Sequence, residues 1–141
     1  MSAWQTIGKQ RICVTDDLIE IEISGEFVPA ELLQGLALVE ATQGRFGYAL
    51  LLIVLKDPWS FPAATRQALA GYHRQHKVVG VTAVVGASSV MRILIDLVLR
   101  AIDRVVGAVP TTRFFSTRPE ALSWLGEIRG PAQQGLLSRQ V

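Results

Sequence analysis

The two histidines and the single cysteine are the residues of this sequence best suited to metal binding or nucleophilic chemistry. His73 and His76 are three residues apart in a segment predicted to be helical, so they can share one helical face. A zinc site needs further cysteine, histidine or carboxylate ligands, and no cluster of these lies nearby in the sequence. Cys13 lies among apolar residues of a predicted strand, which favours a small buried side chain over a reactive thiol. We therefore predict no metal site and no catalytic cysteine.

Hydroxyl groups beside predicted helices are the other candidates for chemistry. Ser60 follows Asp57 in a short segment between a predicted strand and a predicted helix, where it can cap the helix. Ser88 and Ser89 follow a glycine, as in a phosphate-binding turn, but the sequence has neither of the glycine-rich phosphate-binding motifs. We interpret this pair as a helix cap. Asp57 and Glu26 are single acids without a predicted partner, so the sequence predicts no catalytic residues, no cofactor and no enzyme.

The composition describes one folded domain. The chain has 141 residues, of which 50% are hydrophobic and 18% are charged, and its formal net charge is +2. This composition excludes intrinsic disorder, and so small an excess of positive charge gives no support to nucleic-acid binding. The first residues lack the apolar core of a signal peptide, and the longest apolar run is shorter than the ~20 residues that a membrane span needs. We expect a cytoplasmic protein without a membrane span.

Hydrophobic periodicity divides the chain into alternating strands and helices. Glu20 and Glu22 alternate with isoleucines, as in a strand with one exposed face, whereas residues 48–55 are continuously apolar, as in a central strand covered on both faces. Strands are predicted at residues 11–15, 18–23, 48–55, 78–85 and 112–116, and helices at residues 29–43, 61–76, 89–106 and from 118 onward. This order predicts an α/β fold with a single mixed, mostly parallel five-stranded sheet, an antiparallel N-terminal hairpin and four covering helices.

The last predicted helix closes the domain. Thr117 and Glu120 have the spacing of a capping box, and Trp124 falls on the apolar face of the helix, where we expect it to pack against the sheet. Residues 130–141 show no sustained pattern. We therefore expect a domain at residues 1–129 and a mobile tail at residues 130–141.

The predicted helix at residues 89–106 carries more apolar surface than one sheet face can cover. Its charged residues recur at four-residue steps and form one narrow stripe, while almost all of its other residues are apolar. The surplus must meet a neighbouring helix, a second subunit, a lipid-like ligand or a membrane surface, and we expect a partner surface first. The candidate interface or ligand-facing residues are Met91, Leu94, Ile95, Val98, Leu99 and Ile102.

Three segments of the chain carry a family resemblance. They are the acidic strand that ends at Gly25, the apolar strand 51–55 that leads to Ala-Ala-Thr-Arg at residues 63–66, and the closing run Arg-Phe-Phe-Ser-Thr-Arg-Pro-Glu-Ala-Leu-Ser-Trp-Leu at residues 113–125. In these segments the chain resembles the SpoIIAA-like family, also described as STAS/SEC14-like, over residues 8–129. The resemblance implies the STAS fold of anti-sigma-factor antagonists and is almost uninformative about activity.

The resemblance also implies a role for the segment that contains Ser60. In well-studied STAS proteins, a partner kinase phosphorylates a serine just after the second core strand, where helix amides and the helix dipole stabilise the added charge. The corresponding segment here is Asp57 to Pro62, so Ser60 is the implied phospho-acceptor and Asp57 the accompanying acid. Proline follows the aspartate, and the glycine of the family pattern is absent. Ser60 is therefore either a helix cap or a phospho-acceptor.

Two functions fit these observations. The leading hypothesis is a non-catalytic regulatory module that acts through protein–protein contacts, as a homodimer or docked to a signalling partner. The alternative is a carrier or sensor of a small hydrophobic, lipid-like ligand. An enclosed apolar cavity lined by the long helix would favour the carrier, whereas an exposed apolar patch would favour the interaction module.

Overall fold

The computed structural model describes residues 3–106 and 111–137, with the backbone alone described at residues 102, 105 and 106. Within these residues, strands and helices follow one another along the chain. They are β1 (Trp4–Ile7), β2 (Gln10–Thr15), β3 (Leu18–Glu26), α1 (Pro29–Phe46), β4 (Ala49–Ser60), α2 (Ala63–Gln75), β5 (Gly80–Val85), α3 (Ser89–Val106), β6 (Thr111–Phe115) and α4 (Arg118–Gln133).

The described strands form one sheet in the order β1-β2-β3-β4-β5-β6. β1 and β2 run antiparallel, as do β2 and β3, and the pairs from β3 to β6 are parallel. The predicted α/β fold with a mixed sheet and four helices is confirmed, but the sheet has six strands and not five. β1 is not evident from the sequence, because three of its four residues are exposed and the strand has no apolar alternation.

The helices divide between the two faces of the sheet. α1, α2 and α3 contribute to an apolar cluster on one face, and α4 packs on the other face. Leu50 and Leu52 of β4 point to the α4 side, whereas Leu51 and Ile53 contact the three-helix side. β4 is therefore covered on both faces, as its continuous apolar sequence predicts.

Trp124 is the largest side chain that α4 brings to the sheet. It is buried, and its ring lies 5.6 Å from the ring of Phe115, measured between centroids. The helix is capped as predicted, because Thr117 Oγ1 accepts a hydrogen bond from Glu120 N (3.4 Å) and donates one to Glu120 Oε1 (2.8 Å). The predictions of Thr117 as the helix cap and of a core tryptophan are confirmed, whereas the reciprocal bond of a capping box, from Thr117 N to the Glu120 side chain, is not among the contacts of this cap.

The segment 56–60 is part of a strand and not a loop. β4 continues to Ser60, which pairs with Glu26, while Phe27 N donates to Ser60 O (3.0 Å). The register shifts between Lys56 and Trp59, which leaves two residues outside the pairing with β3 and explains why this polar, proline-containing sequence resembles a loop. α2 begins at Ala63 with a proline at its N-cap position and no side-chain cap. The interpretation of Ser60 as a helix cap is therefore wrong.

The chain beyond Gly130 is also more ordered than its sequence suggests. α4 continues through Pro131 to Gln133, and both Ala132 and Leu137 are buried against the cluster on the α4 face. Residues 130–137 therefore belong to the packed domain, which corrects the expected boundary at residue 129. The prediction of a mobile tail otherwise falls on residues 138–141, which lie outside the described residues.

A partly buried polar cluster anchors this end of α4. Arg129 donates two hydrogen bonds to Asp17 (Nε–Oδ2 2.9 Å and Nη2–Oδ1 3.0 Å), and the Tyr48 hydroxyl donates to the same carboxylate (2.6 Å). Burial alone would raise the pKa of Asp17, but the hydrogen bonds from Arg129 and Tyr48 outweigh it and lower the pKa below its ordinary value. Burial and the hydrogen bond to Asp17 raise the pKa of Tyr48 to about 12.

Candidate functional site

α3 contributes to both candidate sites, which are an exposed apolar face of this helix and an apolar cavity beneath it. Ser88 caps its first turn, because Ser88 Oγ accepts a hydrogen bond from Met91 N (3.2 Å). This confirms the interpretation of the serine pair as a cap. From there the helix crosses the three-helix side of the sheet beside α2, with one apolar face turned inward and another turned outward.

The outer face of α3 is a stripe of exposed aliphatic side chains. Val90 is 65% exposed, Ile93 62%, Leu94 48% and Leu97 58%. Their spacing of i, i+3, i+4 and i+7 places them on one side of the helix. The described residues cover none of these four side chains fully, so the apolar surplus predicted from the sequence is present on the surface.

The inner face of α3 holds most of the residues that the sequence predicted for the interface. Met91 and Ile95 pack against the core cluster on the three-helix side, Leu99 is half-buried, and Val98 is half-buried as well. Of the six predicted residues, only Leu94 is exposed among those whose side chains the structure describes, and Ile102 is not one of those. The predicted residues lie largely on the side of the helix away from Arg92, Asp96 and Arg100, and most of that side packs inward.

The charged stripe of α3 makes local contacts. The Asp96 and Arg100 side chains form an exposed salt bridge of 2.8 Å, which stabilises a helix by about 0.2–0.5 kcal/mol. Arg92 folds back, with its Nε 3.2 Å from Ala87 O and its guanidinium 5.9 Å from the centre of the Phe114 ring.

An apolar cavity of about 190 Å³ lies beneath the helices on the three-helix side. Its wall is built from strands β3 to β6, from α1, α2 and α3, and from the ends of the segments that connect them. The lining residues are Ile23, Phe27, Leu32, Leu36, Val39, Leu51, Ile53, Leu55, Trp59, Ser60, Phe61, Leu69, His73, Val78, Thr82, Val84, Ile95, Leu99 and Thr112. Most of these side chains are aliphatic or aromatic, as in sites that bind apolar small molecules.

His73 is the titratable residue in the wall of the cavity. Its Nδ1 atom is buried and has no hydrogen-bond partner among the described residues, and burial lowers the pKa of the imidazole. His76 lies outside the wall, with its ring stacked on Tyr72 at 4.2 Å and its Nδ1 3.2 Å from Tyr72 O. His73 lies within α2, whereas His76 is the residue that follows the helix, and the two histidines therefore have different surroundings.

Ser60 and Asp57 lie in different places. Ser60 is exposed and contributes to the wall of the apolar cavity. Asp57 instead lines a second cleft of about 370 Å³, together with Ser88, Arg92 and Ser116 at the carboxyl ends of the parallel strands. The structure therefore does not join the two predicted residues into one site.

Metal and thiol chemistry find little support in the described part of the chain. No group of three histidine, cysteine or acidic residues there is placed to hold a metal ion. Cys13 is half-buried on the strand next to β1, opposite Trp4, and its sulfur lies 3.9 Å from Thr15 Oγ1. Among the same residues, no helix is both long enough and apolar enough to cross a membrane.

The fold and the site define a small α/β protein with a mixed sheet, an apolar cavity and an exposed apolar helix. The SpoIIAA-like family model matches residues 18–126, so the chain belongs to the SpoIIAA-like family. A solved structure, the anti-sigma factor antagonist SpoIIAA in its unphosphorylated form, has the same fold. It matches with a TM-score of 0.51 and 16% identity, over 92% of this chain and 99% of that chain. A comparison with curated proteins found no match.

Proposed function

We propose that this protein is a non-catalytic module that acts through protein–protein contacts, and that the outer face of α3 binds a second copy of the chain. The observation that carries the proposal is the stripe of four exposed aliphatic side chains, Val90, Ile93, Leu94 and Leu97. Exposed apolar area costs about 25 cal/mol per Å² relative to its burial, and contiguous patches of this kind mark interaction sites.

A second copy fits this surface because a two-fold contact requires a patch that is complementary to itself. Aliphatic side chains meet this requirement, since their attraction does not depend on the sign of a charge. A module that acts on proteins also agrees with the role in the name of the similar structure, since an anti-sigma factor antagonist acts against another protein.

The test is the oligomeric state of matched variants in sedimentation equilibrium. We expect the wild type to be a dimer at micromolar concentration and Leu97→Glu to be a folded monomer. Leu33→Glu is the control, because Leu33 is a similarly exposed leucine (49%) on α1 and its substitution should leave the dimer intact. A wild type that sediments as a monomer at high micromolar concentration would refute the second copy as the occupant.

Ser60 remains a candidate phospho-acceptor within this proposal, because its side chain is exposed. A phosphate would add a charge of about −1.5 to −2 opposite Glu26 on β3 and at the wall of the cavity. We expect Ser60→Asp to change the set of partners recovered in a pull-down. Recovery of identical partners by the wild type and by Ser60→Asp would remove this role.

We propose carriage of a small apolar ligand as the second candidate function, and the apolar cavity favours it. Its volume of about 190 Å³ exceeds the ~150 Å³ of a dry engineered cavity that binds benzene. Ile95 and Leu99 of α3 belong to its wall. Binding of an apolar probe such as p-xylene, followed by amide chemical shifts, tests this function directly.

A further inference from the structure

We propose that the imidazole of His73 is the polar anchor of the apolar cavity, and that the cavity takes a neutral, largely apolar molecule with one hydroxyl group. This inference rests on the second candidate function, ligand carriage. It adds to that function the chemical class of the ligand and the residue that recognises it.

His73 combines a place in the cavity wall with an unsatisfied nitrogen. Its Nδ1 is buried without a hydrogen-bond partner among the described residues. Buried polar atoms in proteins are nearly always hydrogen-bonded, so an exception calls for a partner that the chain does not supply.

The surroundings of His73 select a neutral ligand. Burial lowers the pKa of His73, so the imidazole is uncharged at neutral pH. None of the residues that line the cavity is a lysine, arginine, aspartate or glutamate. A charged group in the cavity would lose its hydration without gaining an opposite charge, which is strongly unfavourable.

A hydroxyl group is the polar group that fits a neutral imidazole best. A neutral imidazole has one donor nitrogen and one acceptor nitrogen, and a hydroxyl can accept from the first or donate to the second. Rotation of the ring about the Cβ–Cγ bond is soft and roughly two-fold, so either edge of the ring can turn toward the ligand. The rest of the molecule must be apolar, and a volume of about 190 Å³ accommodates a substituted benzene ring.

The experiment compares p-cresol with p-xylene, which have the same shape and differ by a hydroxyl in place of a methyl group. Both are titrated into the wild type, His73→Leu and His76→Leu, and the dissociation constants are taken from amide chemical shifts. His76→Leu is the matched control, because His76 lies three residues away, directly after α2, and does not line the cavity. The measured quantity is the preference for p-cresol over p-xylene, which cancels the effect of each variant on cavity volume.

We expect His73→Leu to reduce this preference about five-fold, as the loss of one hydrogen bond predicts, and His76→Leu to leave it unchanged. Binding of both probes with the same preference in the wild type and His73→Leu would overturn the anchor and leave ligand carriage intact. Binding of neither probe to the wild type would overturn ligand carriage itself and the inference with it.

A measurement on the wild type alone keeps the inference testable if His73→Leu does not fold. The ring nitrogens of the two histidines are followed by ¹⁵N spectroscopy during the titrations. We expect p-cresol to shift the His73 nitrogens much further than p-xylene does, because only p-cresol forms a hydrogen bond with the ring, and we expect both probes to leave the His76 nitrogens nearly in place. Binding of p-cresol without a shift at His73 would overturn the anchor.

Discussion

Arg129 and Asp17 are separated by 112 residues in the chain, yet the guanidinium holds the carboxylate through two hydrogen bonds of 2.9 and 3.0 Å. The carboxylate is almost fully buried, with 7% of its side chain exposed, and the arginine is partly exposed. This contact fastens the C-terminal half of α4 to the turn between β2 and β3. It explains why the helix persists beyond the point at which its sequence pattern ends.

Removal of the arginine should leave a buried carboxylate without its charged partner. We expect Arg129→Ala to lower the free energy of unfolding by about 1–3 kcal/mol, the usual cost of an unsatisfied buried group. Arg74→Ala, at an exposed position on α2, should change it by less than about 0.5 kcal/mol. Equal losses for the two variants in urea titrations would show that the contact with Asp17 contributes nothing specific.

Tyr48 should make the fold sensitive to alkaline pH. Its pKa is raised from 10.0 to about 12, so the folded state favours the protonated hydroxyl. The stability that results is fully present below pH 10.0 and is lost as the pH rises toward about 12. Tyr72 has a similarly raised pKa, so Tyr48→Phe should keep part of the alkaline decline. Unfolding titrations across this pH range should show a smaller decline in the free energy of unfolding for Tyr48→Phe than for the wild type. Identical declines would contradict the assignment of the alkaline sensitivity to Tyr48.

The two residues that the sequence suggests as helix caps should respond differently to substitution. Thr117→Ala removes a real cap and should cost about 1 kcal/mol. Ser60→Ala should change stability by less than about 0.5 kcal/mol, because Ser60 is exposed at the end of β4 and caps no helix. Thermal unfolding monitored by circular dichroism distinguishes the two variants. A loss of stability in Ser60→Ala equal to that in Thr117→Ala would show that Ser60 does cap α2.

Two tryptophans provide a test of which helix and strand belong to the core. Trp124 is 8% exposed beside Phe115, whereas Trp4 on the edge strand β1 is 39% exposed. We expect Trp124→Ala to cost about 3–5 kcal/mol and Trp4→Ala to cost much less. A loss below about 1 kcal/mol for Trp124→Ala in a denaturant titration would place α4 at the periphery of the fold.

Leu97 and Leu99 are two residues apart on α3 and face opposite environments. Leu99 lines the apolar cavity, so Leu99→Glu should place a charge in an apolar wall and cost more than about 2 kcal/mol. Leu97 is 58% exposed, so Leu97→Glu should change the stability of the monomer by less than about 0.5 kcal/mol. Both are measured at protein concentrations low enough to dissociate any dimer, and the reverse order would show that α3 is rotated about its axis.

The sequence alone determines the class of the fold, because the signals involved are local. The alternation of Glu20 and Glu22 with isoleucines, the apolar run of β4 and the Thr117 capping box each depend on neighbours a few residues away. The closing segment at residues 113–125 also carries the family resemblance that the family model confirms. The apolar surplus of α3 is likewise a property of helical periodicity.

Only the tertiary structure determines the features that depend on contacts between residues far apart in the sequence. β1 forms because β2 offers it an edge, β4 extends to Ser60 because β3 continues beside it, and α4 passes Gly130 because Arg129 and Leu137 find buried partners. Which side of α3 meets the cavity is also set by packing on the sheet and on α2. An apolar arc of this width allows several rotations of the helix about its axis, and only contacts between elements select one of them.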